Sequence, residues 1–81
     1  MSRYTIAYAP AAEAALAHMS SPARFRAQMD QTLGRDPYGH GSRELQGEKD
    51  RRQVVIAGAL IVYYVSRSVL KVTAVRLIPA P

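Results

Sequence analysis

Four cations define the chemistry open to this sequence: Lys49, Arg51 and Arg52 in one run, and Arg76 near the end of the chain. A guanidinium presents a planar fork of N–H donors that matches phosphate or carboxylate two bonds at a time. A nucleic acid and an acidic protein therefore both fit such a cluster, and charge alone does not choose between them. The bland role of the same run is a charged strand entry that discourages edge pairing. Tyr63 and Tyr64 are adjacent, so on an extended chain they point to opposite faces and at most one joins a given site. His40 lies in a loop flanked by Gly39 and Gly41, within reach of a site, whereas His18 belongs to a helical stretch. No pair of His or carboxylate residues has metal-ligand spacing, and neither a glycine-rich phosphate loop nor a Ser-His-Asp set is present. Neither a metal nor a cofactor is expected.

The elements that must position these residues have to fit in 81 residues, read as a single domain over 1–81. A chain of that size buries only about 60% of its unfolded surface. It has no cysteine and so no disulfide staple, which suits a reducing, cytoplasmic setting. Association with another protein is the expected extra source of stability. The segment Met1 to Tyr8 alternates and is too short for a leader. Eleven Lys and Arg, nine of them Arg, face six Asp and Glu for a net charge of +5, and residues 43–81 carry +4 of it.

The span Arg51 to Ile78 holds three apolar runs rich in Val, Ile, Thr and Tyr, separated by Ala57-Gly58 and Ser66-Arg67-Ser68. Such side chains suit a pleated surface, and short turn-forming gaps favour hairpins. The pattern predicts an antiparallel meander over roughly 51–57, 59–66 and 69–77. A membrane helix from Val54 to Val65 falls well short of the ~20 residues a bilayer needs. The middle run alternates Leu60, Val62 and Tyr64 with Ile61, Tyr63 and Val65, so both its faces are apolar. A sheet with one wet face should show polar residues at every second position. Two coverings are therefore implied: the chain's own helices, and either its loops or an incoming partner segment. Upstream, Ser2 to Tyr8 reads as an edge strand, and Ala11 to Met19 as a helix entered through Pro10. A second helix runs from about Pro22 to Leu33, capped by Ser21, with Phe25, Met29 and Leu33 on its buried side. Residues 35–42 form a loop, 43–47 a short extra strand and 48–50 a charged turn.

Several phrases, in this order, resemble the RelE/ParE superfamily of bacterial toxins. They are Tyr4-Thr5-Ile6 followed by Pro10-Ala11-Ala12, then Asp36-Pro37, Leu45-Gln46-Gly47, Arg52, Gly58 to Tyr64, and Val75-Arg76. The resemblance implies an α+β fold, in which an N-terminal strand and an antiparallel helical hairpin pack on a twisted antiparallel β-sheet. It implies a type II toxin of the cytoplasm, neutralised by a cognate acidic antitoxin. Two activities are implied with it: an endoribonuclease that cuts messenger RNA on the ribosome and so inhibits translation, or a poison of DNA gyrase. Cleavage to a 2′,3′-cyclic product needs the 2′-hydroxyl deprotonated, the pentavalent charge stabilised and the leaving oxygen protonated.

Carried over by position, the resemblance makes Arg52 and Arg76 the catalytic cations. Lys49 and Arg51 join them as RNA contacts, and Ile61, Tyr63, Arg51 and Arg76 become the antitoxin contacts. The sequence departs from the family at two places, which leaves a catalytically degenerate, toxin-like interaction module as a further alternative. The Gly-x-Tyr-Arg phrase reads Gly58-Ala59-Leu60-Ile61, and Leu77 to Pro81 contains neither Tyr nor His.

Overall fold

The computed structural model of the chain describes residues 3–79. Seven elements occur in order: β1 (Thr5–Tyr8), α1 (Pro10–Ala17), α2 (Pro22–Thr32), β2 (Arg43–Leu45), β3 (Glu48–Ile56), β4 (Ala59–Ser66) and β5 (Lys71–Pro79). Ser2, the start of the expected first strand, and Ala80 and Pro81, in the stretch Leu77 to Pro81, lie outside the described residues. After β1 the chain crosses through both helices, resumes at the far edge of the sheet and meanders back, giving the order β1-β5-β4-β3-β2. Three antiparallel pairings join β2 to β5, but β1 pairs with β5 in parallel, Ile6 beside Val72. The sheet is thus mixed, where a wholly antiparallel one was expected; the helical crossover brings β1 to the last strand running the same way.

Two tight turns set the hairpins. Ala57-Gly58 and Gln46-Gly47 all have positive φ, the conformation of the two-residue hairpin turn whose twist matches that of its strands. The second turn lies earlier than the charged turn expected at 48–50, and those residues open the nine-residue β3.

Both helices cover one face. Pro10 stands at the start of α1 and Pro22 at the start of α2, where a missing N–H costs nothing. Ser21 precedes α2 but makes no side-chain cap bond. Ala12 and Leu16 of α1, with Phe25 and Met29 of α2 and Leu33 beyond it, form the helical half of the core. The sheet half comes from alternate residues: Val54 and Ile56; Ile61, Tyr63 and Val65; Val72, Ala74 and Leu77. The small side chains of α1 let its backbone lie close over β5. Gly34 ties the ends together, its carbonyl accepting the backbone N–H groups of Arg3 and Tyr4 at 2.8 and 2.7 Å.

One irregularity decides where Arg76 points. Pairing between β4 and β5 shifts at Val62/Tyr63, so Val62 faces Arg76 while Tyr63 faces Ala74. Val75 is the extra residue of a β-bulge. Without it, alternation from Val72 and Ala74 would turn Arg76 into the core.

Candidate functional site

The face of the sheet away from the helices is open. Directly paired residues of antiparallel strands share a face, so the register gives that surface row by row. One row runs Arg43–Gln53–Val62–Arg76 across four strands, with a guanidinium at each end. Beside it runs Arg51–Tyr64–Thr73, and on its other side Val55–Leu60–Ile78. Arg51 and Arg76 both border a concavity of ≈ 250 Å³ with Leu45, Val62 and Val75 as its apolar lining. Val55, at 66% exposure, and Ile78, at 44%, leave a greasy strip uncovered next to these cations.

No carboxylate is registered against this pair among the described residues. Glu13 bonds Arg26 at 2.6 Å across the two helices, and Asp30 also lies on α2. Asp36 accepts the Tyr38 N–H, Asp50 accepts the Tyr38 hydroxyl, and Glu44 approaches Arg52. Glu48 stands opposite Leu45 at the start of β3. Among the described residues neither Arg51 nor Arg76 forms an ion pair, and exposed guanidinium groups of this kind favour phosphate or carboxylate ligands.

Arg52 takes a different place from the one expected of a catalytic, RNA-binding cation. It is 8% exposed and faces the helix side. Its Nε donates to Ser42 Oγ at 2.9 Å, Nη1 to the Lys49 carbonyl at 3.0 Å and Nη2 to the Ser42 carbonyl at 3.2 Å. Its guanidinium also lies over the Tyr38 ring. Arg52 clamps the loop ahead of β2; it does not front an open surface. Lys49 is exposed, but its ammonium likewise sits over the Tyr38 ring, 5.4 Å from the centroid.

Ile61 and Tyr63, expected as partner contacts, are buried beneath the helices at 0% and 1% exposure. The Tyr63 hydroxyl donates to the Pro37 carbonyl. The residues of β4 that occupy the open face are Leu60, Val62 and Tyr64. Of the expected site residues, the structure brings Arg51 and Arg76 together and separates them from Arg52, Ile61 and Tyr63.

The phenols on the helix side are poor bases. Burial pushes Tyr8 up to about 12, and its hydroxyl is buried without a hydrogen-bond partner among the described residues. Desolvation, followed by the hydrogen bond to the Asp50 carboxylate, also pushes Tyr38 up to about 12. Burial raises Tyr63 as well. All three stay protonated at neutral pH. His40 is exposed in the loop, at a positive φ of 61°. The expected set omits Arg43 and Tyr64, both on the open face. Tyr64 is placed there by its pairing with Arg51, and Arg43 by the register shift that sets it opposite Gln53, which its residue type does not announce.

No family model and no curated protein matches the chain. Solved structures do. A chain of the toxin–antitoxin complex RelBE2 from Mycobacterium tuberculosis superposes with a TM-score of 0.74 at 17% identity, covering 95% of this chain and 98% of that one. A chain of the archaeal RelE–RelB complex from Pyrococcus horikoshii gives 0.74 at 16% identity, covering 95% and 94%. The isolated RelE toxin of E. coli gives 0.68 at 18% identity, covering 96% and 85%. At 16–18% identity what is shared is the fold, and that fold is the one of the RelE toxins.

Proposed function

We propose that this protein is the toxin of a type II toxin–antitoxin system, acting in the cytoplasm as an endoribonuclease that cuts messenger RNA on the ribosome and held in check by an acidic antitoxin. The observation that carries this reading is the pair Arg51 and Arg76 at one concavity of the open sheet face, neither of them ion-paired among the described residues. Two guanidinium groups there bind the scissile phosphate and stabilise its pentavalent charge as the 2′-oxygen attacks and the 5′-oxygen leaves. The strip Val55, Leu60 and Ile78 offers an antitoxin segment its apolar seat, and the same arginines take that segment's carboxylates.

A second reading rests on a specific feature. Among the described strand residues of the open face no imidazole lies beside Arg51 and Arg76, and the ionisable ring there is the Tyr64 phenol. Proton transfer is thus poorly provided for, which favours a gyrase poison that needs tight binding and no bond cleavage.

Inducible expression with mapping of message 5′ ends separates the two. For the nuclease, arrest comes with new 5′ ends, and Arg51→Ala or Arg76→Ala each lowers cleavage about 10²–10³-fold, the usual effect of removing one transition-state donor. DNA-damage signalling with intact messages would establish the gyrase reading instead. Absence of both arrest and cleavage would leave only an interaction module.

A further inference from the structure

We propose that Tyr64 is a stacking platform for a base of single-stranded RNA whose phosphates are held by Arg51 and Arg76. The inference rests on the nuclease reading above and names a binding residue for it. Of the six aromatic side chains, Tyr4, Phe25 and Tyr63 are in the core, and Tyr8 and Tyr38 pack against it. Tyr64 alone does neither. It is 41% exposed, on the central strand, on the face the helices leave open. No hydrogen bond to its hydroxyl occurs among the described residues, so neither packing nor polar satisfaction accounts for an aromatic ring there.

Its surroundings fit a nucleotide. Tyr64 is paired directly with Arg51 on one side and Thr73 on the other. Val62, two residues along the same face, is paired with Arg76. Cross-strand neighbours have Cβ atoms about 5 Å apart, a span one nucleotide covers between its base and its phosphate. Cations tracking a backbone beside an exposed ring are the usual means of holding unpaired strands, because every base has a π-face. A duplex hides those faces and gains nothing from the ring. An acidic peptide would use the arginines and leave the ring's flat surface without a matching partner.

The test is titration of the full-length chain into a short single-stranded RNA carrying one 2-aminopurine, whose emission falls on stacking; the chain has no Trp to obscure it. Wild type is expected to quench the probe. Tyr64→Leu should lose the quenching and bind about ten-fold more weakly or worse, the lower part of the range for one lost stacking contact. Tyr64→Phe should recover what the Leu variant loses, since the ring and not the hydroxyl acts. Circular dichroism of each variant confirms that it is folded. Binding by wild type that depends on Arg51 and Arg76 but is unchanged in Tyr64→Leu overturns this inference alone. A Phe variant as weak as Leu overturns it in favour of hydroxyl chemistry. A Leu variant impaired only toward an acidic protein partner overturns it in favour of a protein contact. A wild-type chain that binds no RNA overturns both this inference and the nuclease reading.

Discussion

Arg51 and Arg52 are consecutive, yet a strand's alternation sends one to the open face and the other against the loop before β2. Their substitutions should differ accordingly. Removing Arg52 strands carbonyls at Ser42 and Lys49 and frees residues 38–42 from their main tether. Loss of a buried, multiply bonded cation costs on the order of 3 kcal/mol. For a domain this small each kcal/mol lowers Tm by about 4–8 °C, so Arg52→Ala should melt roughly 12–24 °C below wild type. Exposed Arg76→Ala should melt within a few degrees of it. Thermal melts monitored by circular dichroism decide this. An Arg52→Ala protein with wild-type Tm and no activity would return Arg52 to the catalytic set. The sequence reading grouped the two arginines as one cluster of RNA contacts, although on a strand consecutive residues oppose each other. It could not say which faced the helices, because Ile61 and Tyr63 look as suited to a core as Leu60, Val62 and Tyr64.

At the level of elements, the Ala57-Gly58 turn was readable, whereas the Gln46-Gly47 turn and the bulge were not. Ala57-Gly58 lay between two β-branched runs and did become a hairpin turn, and the strand Ala59–Ser66 matches the expected 59–66. Val75, by contrast, is one more β-branched residue in a run of them, and nothing in its type announces an unpaired position. Strict alternation would have put Arg76 with Val72 and Ala74. The parallel placement of β1 was equally hidden, since it depends on where the helical crossover returns. Deleting Val75 tests what the bulge does. The strand must then bury Arg76 or slip by one residue and turn its apolar set outward. Either outcome costs several kcal/mol, a large part of the 5–15 kcal/mol that holds a typical domain. The deletion variant should be unfolded or lose its cooperative melt. Val75→Ala should fold and keep Arg76 on the open face. A deletion variant that melts like wild type would mean that the register, and with it the place of Arg76, is set by something other than this residue.

For the molecule as a whole, the helices supply one layer to a sheet that is apolar on both sides. What remains open is a face with Val55, Leu60 and Ile78 beside Arg43, Arg51 and Arg76. The double-sided pattern of the central strand implied a covering there by loops or by a partner; the loop 35–42 is clamped on the helix side by Arg52 and Tyr63, and its Gly41 borders the edge of the face. If the face exists for a partner, its apolar residues contribute little to the free chain and much to the complex. Val55→Asp separates these roles, because a side chain already 66% exposed loses little on becoming polar. The free variant should melt within a few degrees of wild type. Its affinity for the proposed acidic antitoxin should fall at least about ten-fold, as expected when a charge enters the apolar part of an interface. Wild-type binding should weaken as salt rises, through Arg51 and Arg76, and then level off at the apolar contribution. Calorimetric titrations of both proteins between low and high salt measure each part. A Val55→Asp chain that binds as wild type does would move the antitoxin to another surface and leave the open face to nucleic acid alone.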